Sequence, residues 1–282
     1  MFSYIFGREE KDLRFFQVHK FWVVNLSFKI PFNNNKKLEE IFNRVIDDVE
    51  LQTIWKCSNI TAINRSGLTD HGPVHIAIVA NSALRLFRLL KEAKIESNLE
   101  KDYKLSYEDA EVVVFLGAIM HDLGMSIHRT NHQEYSISIA INILNRILGG
   151  IYNDEERIII RTEVLHAILT HHANYKPLTI EAGCVRVADA LDMAQGRARI
   201  PFNIGKIDIH SVSALSIDEV YIEKGSERPI VIKIHMNNSA GIFQIDELLK
   251  NKLKNSGIEG FIEVLAEVKN EKNIIKTHTL KL

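Results

Sequence analysis

Apolar residues recur at helical spacing through much of the chain and give way to strand-like alternation near its C-terminus. The helical pattern is strongest after Pro73, a residue suited to a first helical turn. It predicts further helices at about residues 108–121, 131–149, 154–172 and 178–195. Residues 33–60, which open with an asparagine cluster, predict one or two more. Because strand patterns are almost absent between residues 73 and 195, we expect an all-helical core of about six or more helices.

Both ends of the chain carry strand patterns. Residues 13–32 are aromatic and β-branched and predict one or two N-terminal strands. Near the C-terminus, two strands joined by a Gly-Ser-Glu-Arg-Pro turn, an amphipathic helix and two further strands predict a small β-β-α-β-β unit. The chain is therefore expected to be α+β, with an N-terminal strand segment (1–35), a helical domain (36–200) and a small α+β domain (201–282).

Composition places the chain among ordinary globular proteins. Hydrophobic residues make up 46% and charged residues 25%, and the formal net charge is −1, so no global charge attracts a polyanion. The two cysteines, Cys57 and Cys184, lie far apart in apolar helical stretches and are expected to be reduced. We find no secretion signal and expect no membrane-spanning stretch, which predicts a cytoplasmic protein without a membrane partner.

The distribution of histidines indicates where a functional site lies. The stretch HDLGMSIHRTNH (121–132) follows a long apolar run, so His121 and Asp122 should stand at the end of a buried helix, where they need a partner or a ligand. Most of the 12 histidines lie between residues 71 and 172, and they recur at predicted helix ends. Imidazoles and carboxylates without cysteine are typical of a site for Mn, Fe, Co, Ni or Zn and argue against a structural zinc site.

The order of these residues resembles the HD superfamily of metal-dependent phosphohydrolases. HIAIVA (75–80) resembles the helix that carries the first histidine, and HDLG (121–124) resembles the signature doublet. HQEYSISIA (132–140) resembles the helix with the next ligand. Residues 165–192 are similar to the last two ligand helices, especially those of ribonuclease Y-like proteins. The resemblance covers about residues 70–200 and implies a helical HD core with a dinuclear metal site.

The resemblance assigns metal ligands residue by residue. The candidates are His71, His75, His121, Asp122, His132, His171, His172 and Asp189. Asp122 would bridge two ions about 3.5–4 Å apart that share a hydroxide, which gives the His121–Asp122 doublet the catalytic role. The family implies two divalent ions, with Mn, Fe, Co or Ni preferred over Mg or Zn.

Several ligand assignments stay open at this point. Either His171 or His172 would hold the second ion, since neighbouring residues point about 100° apart on a helix. Asp192 is the alternative to Asp189 as the last carboxylate. His71 would bind a further ion, contact the substrate or cap its own loop.

Basic loop residues are candidates for binding a phosphate-bearing substrate. They are Arg197, Arg199, Lys176, Arg129 and His128. Asp70 is expected to cap the next helix or support a ligand, and His166 to be structural. Met125 departs from the family, since many HD enzymes have a lysine there. No Gly-Tyr-Pro follows the double histidine, which argues against the HD-GYP group that degrades cyclic di-GMP.

The resemblance implies a phosphodiesterase acting on RNA, an oligonucleotide or a cyclic dinucleotide. A nucleotide phosphomonoesterase stays open, as does a non-catalytic module that binds nucleotides for regulation. The C-terminal unit would mediate a homodimer, bind RNA or sense a small molecule. It lacks an aromatic RNP-like strand, so the sequence gives no support for RNA binding there.

Overall fold

The computed structural model of the chain describes residues 28–194, 213, 215–268 and 278–279. The first of these ranges is helical. Its helices are α1 (Lys36–Asp47), α2 (Val49–Asn59, extended by a π-helical turn over Ile60–Arg65), α3 (Pro73–Glu92), α4 (Asn98–Tyr103), α5 (Tyr107–Met120), α6 (His132–Leu148), α7 (Asp154–Thr170) and α8 (Ile180–Leu191). A 3-10 turn over Leu123–Ser126 lies between α5 and α6.

Capping residues explain where several of these helices begin. Ser97, Ser106 and Asn153 each form a reciprocal capping box with the acidic residue three positions on. Pro73 is the first residue of α3, as the sequence predicts. The four helices predicted after it correspond to α5–α8, with each end within four residues of the observed one.

Helix α5 forms the centre of the helical core and sets the depth of the HD doublet. Every residue from Asp109 to Met120 is buried, so α5 is enclosed on all sides. The doublet follows directly, at the inner end of α5. A Cβ on Gly124 would lie 2.0 Å from the carbonyl oxygen of His132, so glycine lets the start of α6 approach the doublet closely.

Helix α3 is long and apolar enough to cross a membrane by length and composition alone, so the expectation that no stretch reaches this length is wrong by that test. In the fold it is a core helix: 61% of its most apolar window is buried inside the protein. It packs mainly against α5 and α8. Cytoplasmic localisation stays a prediction.

The C-terminal unit is built around a sheet. Its strands are β1 (Ile217–Lys224), β2 (Ile230–Met236), β3 (Ile262–Val268) and β4 (His278–Thr279), in that order across the sheet. The β1–β2 and β3–β4 pairs are antiparallel and β2–β3 is parallel. Residues 239–253 between β2 and β3, called here the C-terminal helical segment, mix 3-10, α and π turns. The α+β class and the β-β-α-β-β order are therefore confirmed.

The sheet packs onto the helical core through α3, which contacts β1 and β2. Arg85 of α3 donates a hydrogen bond from Nε to the carbonyl oxygen of Ile222, 3.3 Å away. The C-terminal helical segment packs against α8. Both contacts connect the C-terminal unit to helices that carry predicted metal ligands.

The N-terminal strand prediction is wrong over its last five residues, the ones the structure describes. Residues 28–32 form no strand. They run into the helical core instead, where Phe28 packs against Phe42 with ring centroids 5.3 Å apart. Their aromatic character reflects this burial in a helical core. The rest of that segment and the proposed boundary at residue 200 lie outside the described residues.

Candidate metal centre

Imidazoles and carboxylates from five helices meet at one buried point. They come from α3, the end of α5, the start of α6, the end of α7, and α8, and are His75, His121, Asp122, His132, His171 and Asp189. His75 and His121 have no solvent exposure, and Asp122 is 4% exposed. Within the described residues, three overlapping sets of three ligand atoms from this group lie within 4.8 Å of one another.

Asp122 lies between two pairs of histidines. Its Oδ2 atom is 3.3 Å from His121 Nε2 and 3.5 Å from His75 Nε2. Its Oδ1 atom is 3.2 Å from His132 Nε2 and 3.7 Å from His171 Nε2. Each carboxylate oxygen therefore faces its own pair of imidazoles, which is the arrangement of a carboxylate that bridges two cations.

The Nδ1 atoms of the histidines, called here the outer nitrogens because they point away from the cluster, fix the orientation of the rings. His121, His132 and His171 each donate from Nδ1 to the carbonyl oxygen three residues earlier, over 2.6–2.9 Å. His75 donates from Nδ1 to Asp192 Oδ2, 2.6 Å away. In a neutral imidazole with hydrogen on Nδ1, Nε2 carries a lone pair. All four rings thus aim an electron-pair donor at the cluster.

The Nε2 lone pairs of the histidines face each other across the cluster, which favours binding of cations between them. The Nε2 atoms of His132 and His171 are 3.1 Å apart, and those of His75 and His121 are 3.3 Å apart. Two acceptors at this distance repel each other unless a proton or a metal ion lies between them. Nitrogen and oxygen donors without sulfur suit divalent transition metals. The residues present therefore fit a pair of such ions.

The electrostatics of the cluster favour positive charge. Burial alone would favour the neutral ring of His121, but the charges of Asp122 and Asp189 outweigh it and raise the pKa of His121 to about 9. Burial also opposes ionisation of Asp122, yet His121 beside it keeps the pKa of Asp122 well below its usual range. Burial lowers the pKa of His171 well below normal, so this ring is neutral. A bound cation would replace the proton that His121 otherwise carries.

Binding of Mn²⁺ is therefore expected to release about one proton per chain at pH 7, because His121 must be deprotonated to offer Nε2. With a pKa near 9, His121 is protonated below that pH, so affinity should fall about tenfold for each pH unit lowered from 9 to 7. Calorimetry in two buffers of different ionisation enthalpy measures the released proton. Equal Mn²⁺ affinity at pH 7 and pH 9 would rule this explanation out.

Asp189 and Asp192 occupy different positions, although the sequence left them as alternatives. Asp189 Oδ1 is 3.4 Å from His75 Nε2 and 3.6 Å from His121 Nε2, inside the cluster. Asp192 instead binds the outer nitrogen of His75, where it orients the ring. The other oxygen of Asp189 contacts the ammonium of Lys252, from the C-terminal helical segment. Sequence reasoning missed Lys252, which lies 63 residues from Asp189 on an ordinary amphipathic stretch.

His71 and His172 lie at the edge of the cluster. His71 Nε2 is 3.9 Å from Asp122 Oδ2, and its Nδ1 lies 2.7 Å from the Thr69 carbonyl oxygen. The His172 ring centroid is 5.7 Å from that of His132, and its Nδ1 accepts a hydrogen bond from the Asn174 amide. Of the double histidine, His171 is therefore the residue whose Nε2 joins the cluster.

The predicted substrate-binding residues are only partly placed. His128, Arg129 and Lys176 are exposed, on the loop before α6 and the loop after α7. Arg197 and Arg199 lie outside the described residues, and their role stays a prediction. The other two side chains singled out have local partners. Asp70 accepts from the Gly72 amide before α3, and His166 Nε2 accepts from the Leu178 amide.

Comparison with known proteins finds one family model and several related proteins. The family model described as "HD domain" matches residues 75–194. An uncharacterized protein of Methanocaldococcus jannaschii, MJ1020, is 44% identical over 240 residues, covering 85% of this chain and 93% of that protein. Ribonuclease Y of Sulfurimonas denitrificans is 25% identical over 169 residues. That of Acholeplasma laidlawii is 22% identical over 231 residues.

The ribonuclease Y matches are partial. They cover 58% and 77% of this chain, but only 29% and 41% of the two ribonucleases. No solved structure matches the chain significantly. The matched family region begins at His75 and contains every residue of the buried cluster.

Proposed function

Because the chain belongs to the HD-domain family, we propose that it is a metal-dependent phosphohydrolase, and more narrowly a phosphodiesterase with a nucleotide-type substrate. One observation carries the proposal: the two oxygens of Asp122 face two separate pairs of buried imidazoles. The weaker similarity to proteins named ribonuclease Y supports RNA or an oligonucleotide as the substrate class. A cyclic dinucleotide has the same diester chemistry.

Two divalent cations in this cluster would acidify a shared water molecule and stabilise the charge that develops on a phosphoryl group. The chain itself holds the ligands ready. Three backbone carbonyls and Asp192 fix the Nδ1 hydrogens of the four rings and raise the basicity of Nε2. Burial excludes bulk water, which strengthens each electrostatic interaction within the cluster.

The arrangement of the cluster and the basic side chains on the loops near it also support a diester substrate. The two pairs of imidazoles share Asp122, and two cations held there would stabilise charge on both the attacking and the departing oxygen of a diester. The exposed side chains of Arg129, Lys176 and His128 lie on loops next to His132 and His172. They would contact parts of an oligonucleotide beyond the scissile bond, a role that also stays proposed for Arg197 and Arg199.

Hydrolysis assays on paired model substrates test the proposal. The Mn²⁺-loaded full chain should hydrolyse bis-p-nitrophenyl phosphate with a kcat/KM at least about tenfold above that for p-nitrophenyl phosphate. It should also cleave a short oligoribonucleotide. His235→Ala serves as a control, because this histidine lies on β2, outside the cluster.

The outcomes separate the alternatives. Hydrolysis of the monoester alone would make the protein a phosphomonoesterase. Full metal loading without turnover of any substrate would favour a regulatory module that binds nucleotides. A homodimer through the C-terminal unit stays a prediction of the sequence.

A further inference from the structure

The C-terminal unit contributes a charged side chain to the metal centre. Lys252, on the C-terminal helical segment, places Nζ against Asp189 Oδ2 while Asp189 Oδ1 faces His75 and His121. The Lys252 side chain is 18% exposed, so it is largely enclosed but keeps some contact with solvent. Among ion pairs of the described residues, this is the one that joins a lysine or arginine to a carboxylate of the cluster.

A buried arginine fixes the backbone that carries Lys252. Arg186 of α8 is 3% exposed and donates from Nε to the Lys252 carbonyl oxygen, 2.8 Å away. Its Nη1 atom donates to the carbonyl oxygen of His172, 3.1 Å away, just after α7. A Cβ on Gly183 would lie 2.4 Å from the carbonyl oxygen of Ser256, three residues after the segment, so α8 and the backbone that follows Lys252 are in close contact. The position of Lys252 relative to the cluster is thus set by the fold.

The charge of Lys252 has a second use once cations are present. Without them, its ammonium compensates the partly buried carboxylate of Asp189. Two divalent ions would compensate that carboxylate themselves and leave the ammonium as surplus positive charge. An ammonium has three N–H donors, so it can bind Asp189 and a second anion together.

We propose that Lys252 is the phosphate-binding cation of this centre, so that the C-terminal unit completes the active site. The proposal rests on the proposed function, since it takes the anion to be the phosphoryl group of the substrate. Met125, after the doublet, is buried and uncharged, so that position offers no cation. Lys252 would donate to a phosphate oxygen beside Asp189.

Phosphate binding to metal-loaded protein tests the proposal without relying on catalysis. The full chain is loaded with Mn²⁺, its metal content is measured, and inorganic phosphate is titrated by calorimetry. Lys252→Met should bind phosphate about ten- to a hundredfold more weakly with unchanged metal content, as expected for loss of a charged hydrogen bond. Lys252→Arg should restore most of the affinity, and the exposed neighbour Lys254→Met should match wild type.

A second measurement uses the wild-type protein and does not depend on folding of a variant. Acetic anhydride should modify Lys252 more slowly when Mn²⁺ and phosphate are both present, while Lys254 reacts equally with and without phosphate. Equal phosphate affinity in wild type and Lys252→Met overturns the proposal, as does equal labelling of Lys252.

These results are separable from the proposed function. If the wild-type protein binds phosphate through Lys252 but hydrolyses no substrate, the role of Lys252 stands and the proposed enzymatic function is wrong. If the protein is an active hydrolase whose phosphate affinity does not depend on Lys252, the proposed function stands and the role of Lys252 is wrong.

Discussion

Asp122→Asn is expected to lower diester hydrolysis at least about a thousandfold, the largest effect of any single substitution in the cluster. The amide has the shape of the carboxylate but carries no charge, so the two histidine pairs lose the anion that lies between them. Two cations would then repel each other without a shared counter-charge. The protein without bound metal is also expected to melt at a lower temperature, because the ionised Asp122, whose pKa is held well below its usual range, compensates the positive charge of His121.

Turnover and thermal melts of the same preparations check this expectation. Asp154→Asn is the matched control, since the Asp154 side chain is 89% exposed at the start of α7. A purely structural cluster would give a different pattern. The remaining activity of Asp122→Asn would then follow its folded fraction, whereas a carboxylate that bridges metal ions predicts folded protein with almost no turnover. A fully active Asp122→Asn protein would contradict the mechanism.

Removing metal with a chelator is expected to abolish turnover, the second of the two largest effects. Added Mn²⁺, Co²⁺ or Fe²⁺ should restore it better than Mg²⁺, because Mg²⁺ prefers oxygen ligands and this cluster offers four imidazoles. Rebound metal should also raise the melting temperature, since it binds the native cluster and relieves the facing Nε2 atoms. Turnover and melting curves along a metal titration measure both. Chelated protein that stays active would show that these residues serve another purpose.

The sequence predicted the elements that position the site because their patterns are local. Helices α5–α8 follow from apolar periodicity and capping residues, and the C-terminal unit follows from alternation and a turn. The burial of the doublet follows from the uniformly apolar α5. Helix α4 was not predicted, since six residues give too little periodicity. Its capping box, Ser97 with Glu100, was the available signal.

Other features depend on contacts between distant residues, which no local pattern encodes. The choice of His171 over His172 is set by how α7 ends against α6. The role of Asp192 depends on the outer nitrogen of His75, a residue 117 positions earlier. Lys252 reaches Asp189 only because the C-terminal helical segment packs on α8. Contacts of this kind can be identified only from the three-dimensional arrangement of the helices.

The metal content of purified protein, counted per chain beside its turnover, tests the central claim most directly. Wild type is expected to hold about two transition-metal ions. His132→Ala should keep about one ion, because His132 faces only the Oδ1 side of Asp122, and its turnover should collapse. Asp122→Asn should fall below two ions. A wild-type protein that hydrolyses phosphodiesters with no bound metal would contradict the account.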